Sequence, residues 1–126
     1  QQNEFKQNAE AEAKDVTISP ADEDFLNKAL RFVEKNMDNS EYSVDELSDD
    51  MAMSRATLFR KMRSVIGMSP TDFIRNTRLK RAAQLITEGR LSVTEIAYSV
   101  GYSSPGHFTK SFKKEFGVLP TQYHKT

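Results

Sequence analysis

Arg60 and Lys110 are the two side chains whose type and setting most invite a chemical reading. Each lies mid-way along a helical pattern, on the side away from the apolar positions, among further cations and small polar residues. A guanidinium or ammonium so placed binds anions, and an arginine fork can also pair with the edge of a guanine. Around Arg60 stand Arg55, Ala56, Thr57, Phe59, Lys61 and Arg63; around Lys110 stand Gly106, His107, Lys113 and Lys114. Nothing comparable supports covalent or metal chemistry. The 126 residues include two His (107 and 124) and no Cys, with no paired carboxylates in an apolar setting and no glycine loop able to cradle a phosphate. No nucleophile, acid–base pair or ligand cluster is assembled, so neither an enzyme nor a cofactor nor a metal is expected.

The net charge of zero conceals a polar distribution. Residues 1–51 hold 5 Lys/Arg against 14 Asp/Glu, a charge of −9, and residues 52–126 hold 13 against 4, a charge of +9. A basic second half fits a polyanionic partner, although chance or solubility can also segregate charge. No apolar run approaches the ~18 residues of a membrane span, and no secretory signal opens the chain. A cytoplasmic location without membrane contact is the expectation. The chain begins at Gln1, so it reads as a piece of a longer polypeptide.

The elements that must hold these cations are helices. Residues 1–18 are polar, without sustained periodicity, and read as a linker or tail from an upstream region. Ser19-Pro20 starts a leading helix over roughly 20–37 within a segment 19–42, with Phe25, Leu26, Ala29, Leu30, Val33 and Met37 on one face. Ser43-Val-Asp-Glu46 reads as a capping box in which the serine takes an amide and the glutamate returns to the serine amide. Ser54 caps the next helix, whose inner face is Leu58, Met62, Val65 and Ile66, and Gly67 stops it. A longer helix fills 69–89, with Phe73, Ile74, Ala82, Ala83, Leu85 and Ile86 inward. Ser92-Val-Thr-Glu95 is a second capping box, and Ser103 or Ser104 starts a helix with Phe108, Phe112 and Phe116 inside, ended by Gly117. A last turn lies in 118–126. Nothing reads as a strand. The fold class is all-α, about seven helices, in one domain over 19–126.

The chain also repeats itself. Ser43, Val44, Glu46, Leu47, Met51, Met53 and Ser54 match Ser92, Val93, Glu95, Ile96, Val100, Tyr102 and Ser103 at an offset of 49. One added residue near Pro105 makes the offset 50, after which Leu58, Arg60, Met62, Arg63, Ile66, Gly67 and Pro70 match Phe108, Lys110, Phe112, Lys113, Phe116, Gly117 and Pro120. Each copy is a short capped helix, a tight turn and a longer helix with a basic outer face. Residues 43–67 and 92–117 are therefore two helix-turn-helix units. In such a unit the second helix enters the major groove. The connecting helix is ~28 Å long at ~1.5 Å per residue, close to the ~34 Å turn of B-DNA. A helical repeat for protein docking, or an RNA-binding one, accounts for the repeat but not for its paired basic faces.

These residues resemble the DNA-binding domain of AraC-type transcription regulators. The likeness runs over about 25–124 and is most specific in Ile96-Ala-Tyr-Ser-Val-Gly101-Tyr102, in Phe108 to Gly117 and in Pro120-Thr-Gln-Tyr123. Ser54 to Lys61, Gly67-Met-Ser-Pro70 and Arg78-Leu-Lys-Arg-Ala-Ala83 also fit it. The leading segment, with Ser19-Pro20 and Phe25-Leu26, is similar to that of bacterial hybrid two-component sensor-regulators. The resemblance implies double-stranded DNA as a partner, with RNA polymerase and upstream sensor or receiver domains of the same chain. It also implies dimerisation through the full-length protein.

Residue roles follow from that resemblance and the helical phase. Arg60 and Lys110 correspond to base-contacting positions, the alternative for each being a phosphate contact or a solvated charge. Ala56, Phe59, Gly106 and His107 are further base-side candidates; partial core burial is the alternative for Phe59 and a plain surface position for His107. Arg55, Thr57, Lys61, Arg63, Lys113 and Lys114 are phosphate candidates, which position rather than specify. Arg75, Arg78, Lys80 and Arg81 of the connecting helix can act in the same way, although for Arg78 an ion pair with the acidic first half is the favoured expectation. One departure stands out: where the second unit has Ala97 and Gly101, the first has Ser48 and Ala52. Its turn must either accept a strained Ala52 or adopt another geometry.

Overall fold

A computed structural model describes residues 18–123; residues 1–17, on which the linker reading falls, and 124–126, with His124, lie outside the described residues. The order is α1 (Pro20–Lys35), α2 (Val44–Asp50), α3 (Arg55–Ile66), α4 (Pro70–Glu88), α5 (Val93–Ser99) and α6 (Pro105–Phe116), then a 3-10 turn at Pro120–Gln122. Among the described residues there is no strand, and no helix is long and apolar enough to cross a membrane.

Local chemistry starts and stops these helices. Ser19 accepts the Asp22 amide at 3.1 Å with Pro20 at the first position of α1, and Ser54, Ser69 and Ser104 cap α3, α4 and α6 in the same way. Gly67, Gly89 and Gly117 end α3, α4 and α6 in the left-handed region that glycine enters without a Cβ penalty. Helix α1 stops at Lys35, two residues before the expected end. Met37 consequently leaves the α1 face and packs against the core of the second half.

Two cores lie side by side. Phe25, Val33, Leu47, Leu58, Met62 and Phe73 belong to the first; Leu79, Ala82, Ile96, Val100, Phe108 and Phe112 belong to the second. Helix α4 serves both, giving Phe73 and Ile74 to one and Leu79 to Leu85 to the other. Thr77 and Arg78 are buried at the crossing. The second core is tightened by ring contacts: Phe112 lies 4.5 Å from Phe116 and meets Tyr123 edge-on at 5.5 Å. Phe116 itself is half-buried.

The two tight turns share one backbone course. Met53 N–H donates to Ser48 O at 3.1 Å in the first, and Tyr102 N–H donates to Ala97 O at 3.0 Å in the second. Both need a left-handed residue: Gly101 has φ +88°, and Ala52 has φ +59°. Of the two options open to the first unit, it keeps the geometry and accepts the strain. Ser48 fits the small buried position because its hydroxyl donates back to Asp45 O at 2.9 Å. Ala52→Gly should raise the unfolding free energy by about 0.5–1 kcal/mol, strain relief exceeding the added chain entropy. Urea unfolding followed by circular dichroism checks it; a loss of stability would refute the strain.

The capping boxes differ as well. In the second unit the exchange is reciprocal: Ser92 Oγ accepts the Glu95 amide at 3.1 Å, and Glu95 Oε1 accepts the Ser92 amide at 2.8 Å. In the first, Glu46 Oε1 accepts both the Ser43 amide (2.8 Å) and the Ser43 hydroxyl (2.6 Å). The glutamate thus returns to the serine amide as the expected box requires, and the serine hydroxyl donates to the same carboxylate oxygen. The Ser43 side chain, then its backbone amide, hold the Glu46 carboxyl below its ordinary range.

Candidate nucleic-acid interface

Helical phase decides which residues of α3 and α6 face outward. With Leu58, Met62, Phe108 and Phe112 buried, Ala56, Arg60, Arg63, Gly106, His107, Lys110, Lys113 and Lys114 are all exposed. Arg60 reaches back along its own helix, its Nη2 3.4 Å from Thr57 Oγ1, and its fork stays in solvent. His107 rests edge-on against Tyr102 at 5.3 Å, which fixes its ring at the start of α6.

Three candidates are placed differently from these. Phe59 is half-buried against the first core, with the Arg55 guanidinium 5.2 Å above its ring, so its outer edge alone remains accessible. Thr57 is half-buried and tied to the cap, its Oγ1 accepting from Ser54 Oγ at 2.9 Å. Lys61 turns inward: its ammonium lies 5.3 Å over the Phe25 ring of α1, away from Arg60 and Arg63.

The starts of the two outward helices open onto one cleft of about 570 Å3. Arg55 at the start of α3 and His107 in the first turn of α6 line it, with Thr71, Arg75 and Arg78 contributed by α4. Arg55 pairs with Asp45 at 3.1 Å and Arg75 with Asp72 at 2.7 Å, both across exposed surface. Acidic residues of the first unit have structural partners too. Asp50 accepts the Tyr42 hydroxyl at 2.7 Å. Burial, then that bond, push the Tyr42 phenol well above its usual range.

Arg78 departs from expectation. It is buried, and its partners are carbonyls rather than a carboxylate: Nη1 donates to Gly101 O at 2.7 Å, and Nη2 to Asn39 O at 2.9 Å and Tyr42 O at 3.3 Å. The guanidinium thereby joins α4 to the loop before α2 and to the turn before α6. Desolvation presses its pKa down from the usual arginine value, with Tyr102 opposing. Both Nη atoms are thus committed to backbone carbonyls, and Nε–H is left without a hydrogen-bond partner among the described residues.

A helix-turn-helix domain family matches residues 47–126, the second unit in full and the first from Leu47 onward. The chain belongs to the AraC-type helix-turn-helix family. It is thus a DNA-binding domain of the transcription-regulator type. Among AraC-type relatives, the HTH-type transcriptional regulator MtrA of Neisseria gonorrhoeae is 37% identical over 115 residues, 89% of this chain and 38% of that protein. Histidine kinase P4 of Formosa agariphila is 42% identical over 109 residues, 86% of this chain but 8% of that protein. The chain therefore spans well under half the length of these relatives. The DNA-binding domain of AdpA, solved in complex with a target DNA, superposes with a TM-score of 0.71 at 26% identity, covering 78% of this chain and 87% of that one.

Proposed function

We propose that this domain binds double-stranded DNA sequence-specifically, with α3 and α6 in successive major-groove segments on one face of the duplex. In this reading it regulates transcription as the output domain of a larger bacterial signalling protein in the cytoplasm. The observation that carries the reading is the shared cleft: the first turns of both recognition helices open on the same side of α4, each followed by an exposed cation at the equivalent position, Arg60 and Lys110. The 19-residue connecting helix is ~28 Å long, which suits one helical turn of DNA. Arg63, Lys113 and Lys114 then take phosphates, and Ala56, Gly106 and His107 lie at the base edges. The domain has no catalytic role here; RNA polymerase and the upstream sensor or receiver domains are its protein partners, and dimerisation belongs to the full-length protein. The similarity to histidine kinase P4 supports the signalling context.

Selection of bound duplexes from a random pool tests this. Arg60→Ala and Lys110→Ala should each cost about 1–3 kcal/mol of discrimination, at separate halves of the selected site. If both relaxed the same base pairs, the two-groove arrangement would be wrong.

A further inference from the structure

We propose that the cleft between the two helix-turn-helix units is a phosphodiester site, in which Arg55 and Arg75 exchange their carboxylate partners for a backbone phosphate of the strand crossing between the two groove segments. The inference rests on the two-groove reading and adds a third point of contact, shared between the start of α3 (Arg55) and the connecting helix α4 (Arg75).

Three observations lead there. One stripe of α4 makes part of the cleft wall cationic, with Thr71, Arg75 and Arg78 at helical spacing, and Arg55 and His107 line the cleft from the two units. Its volume of about 570 Å3 leaves room for a phosphodiester and its water. Next, both exposed arginines of the cleft are neutralised internally, Arg55 by Asp45 and Arg75 by Asp72. Exposed ion pairs are weak and readily exchanged, whereas an arginine fork pairs strongly with phosphate. Last, the Arg78 Nε–H has no hydrogen-bond partner among the described residues, although Arg78 is only 6% exposed. The second unit has Thr94 where the first has Asp45 and Ser104-Pro105 where it has Arg55, so the Arg55–Asp45 pair has no counterpart there. Asp45 and Asp72 thus act as resident counterions. They hold down non-specific attraction until a backbone in the right place displaces them, and a duplex that fails to span both units gains little from the cleft.

The full chain should be titrated against its selected duplex at several salt concentrations, after thermal melts show each variant folded. Arg75→Ala should weaken binding about tenfold at low salt and flatten the logarithmic salt slope by about 0.9. Asp72→Asn, which keeps the capping amide, should strengthen binding about two- to fivefold. A duplex with an uncharged methylphosphonate between the half-sites should reproduce the Arg75→Ala loss in the wild type and add nothing to it in the variant. Multiplying losses would mean that Arg75 serves another phosphate and would overturn the proposal. So would unchanged affinity and slope in both Arg55→Ala and Arg75→Ala while the wild type still binds steeply with salt; the two-groove reading would then survive. A wild-type chain that binds no duplex at any salt would instead overturn that reading, and the cleft site with it.

Discussion

Gly101→Ala is expected to lower the unfolding free energy by about 4 kcal/mol, a large share of what a domain this size possesses. Two costs combine. At φ +88° a Cβ adds about 1–2 kcal/mol of left-handed strain. The same Cβ would overlap the Arg78 guanidinium and stand 2.6 Å from Met37 O. The carbonyl is backbone and cannot swing aside, and Arg78 can retreat only by breaking bonds of about 1.5–3 kcal/mol each to backbone carbonyls. Gly67 supplies the control, since at φ +73° its added Cβ meets nothing within 4 Å. Gly67→Ala should therefore show the strain alone, about 1–2 kcal/mol. Equal losses in the two variants, measured by urea unfolding, would mean that the close approach to Arg78 contributes nothing.

That contact marks the limit of what the sequence reveals. The helices, caps, glycine stops and the exposed phase of Arg60 and Lys110 were legible because they depend on residues three or four apart. The repeat added the equivalence of Ala52 with Gly101, which turned one alanine into a specific question about strain. Other features had no local signature. Helix α4 is buried by different cores at its two ends, so no single face predicts Leu79, which is fully buried. Lys61 lies next to the Arg60 stripe in sequence, yet one helical step of ~100° turns it over Phe25. Met37 shows the same limit, since a helix that ends two residues early hands its last apolar side chain to another core. Arg78 was the hardest: an acidic first half invites an ion pair, but its acceptors are backbone carbonyls, which every residue has and no sequence pattern distinguishes.

Arg78→Met is the second large effect expected, a loss of about 3 kcal/mol and a fall in melting temperature of about 12 °C or more. Methionine keeps the buried stem and removes the guanidinium, so the loss reports the hydrogen bonds rather than a cavity. The carbonyls of Asn39, Tyr42 and Gly101 would be left without their donor, and those of Tyr42 and Gly101, in buried bonds, would face the desolvation cost of an unpaired polar group. Part of this is returned, because burial already works against the charge, as the lowered pKa indicates. Arg78→Lys should fall between, since one ammonium on a shorter stem cannot span acceptors from two separated segments. The location of the bonds adds a second readout. They fasten the loop before α2 and the turn before α6 to the same point on α4, so one side chain ties the first unit to the second. In Arg78→Met the full two-part site should lose affinity while the base preference within each half is retained. If the variant melted with the wild type, or lost preference in one half alone, the guanidinium would not be what holds the two units in register.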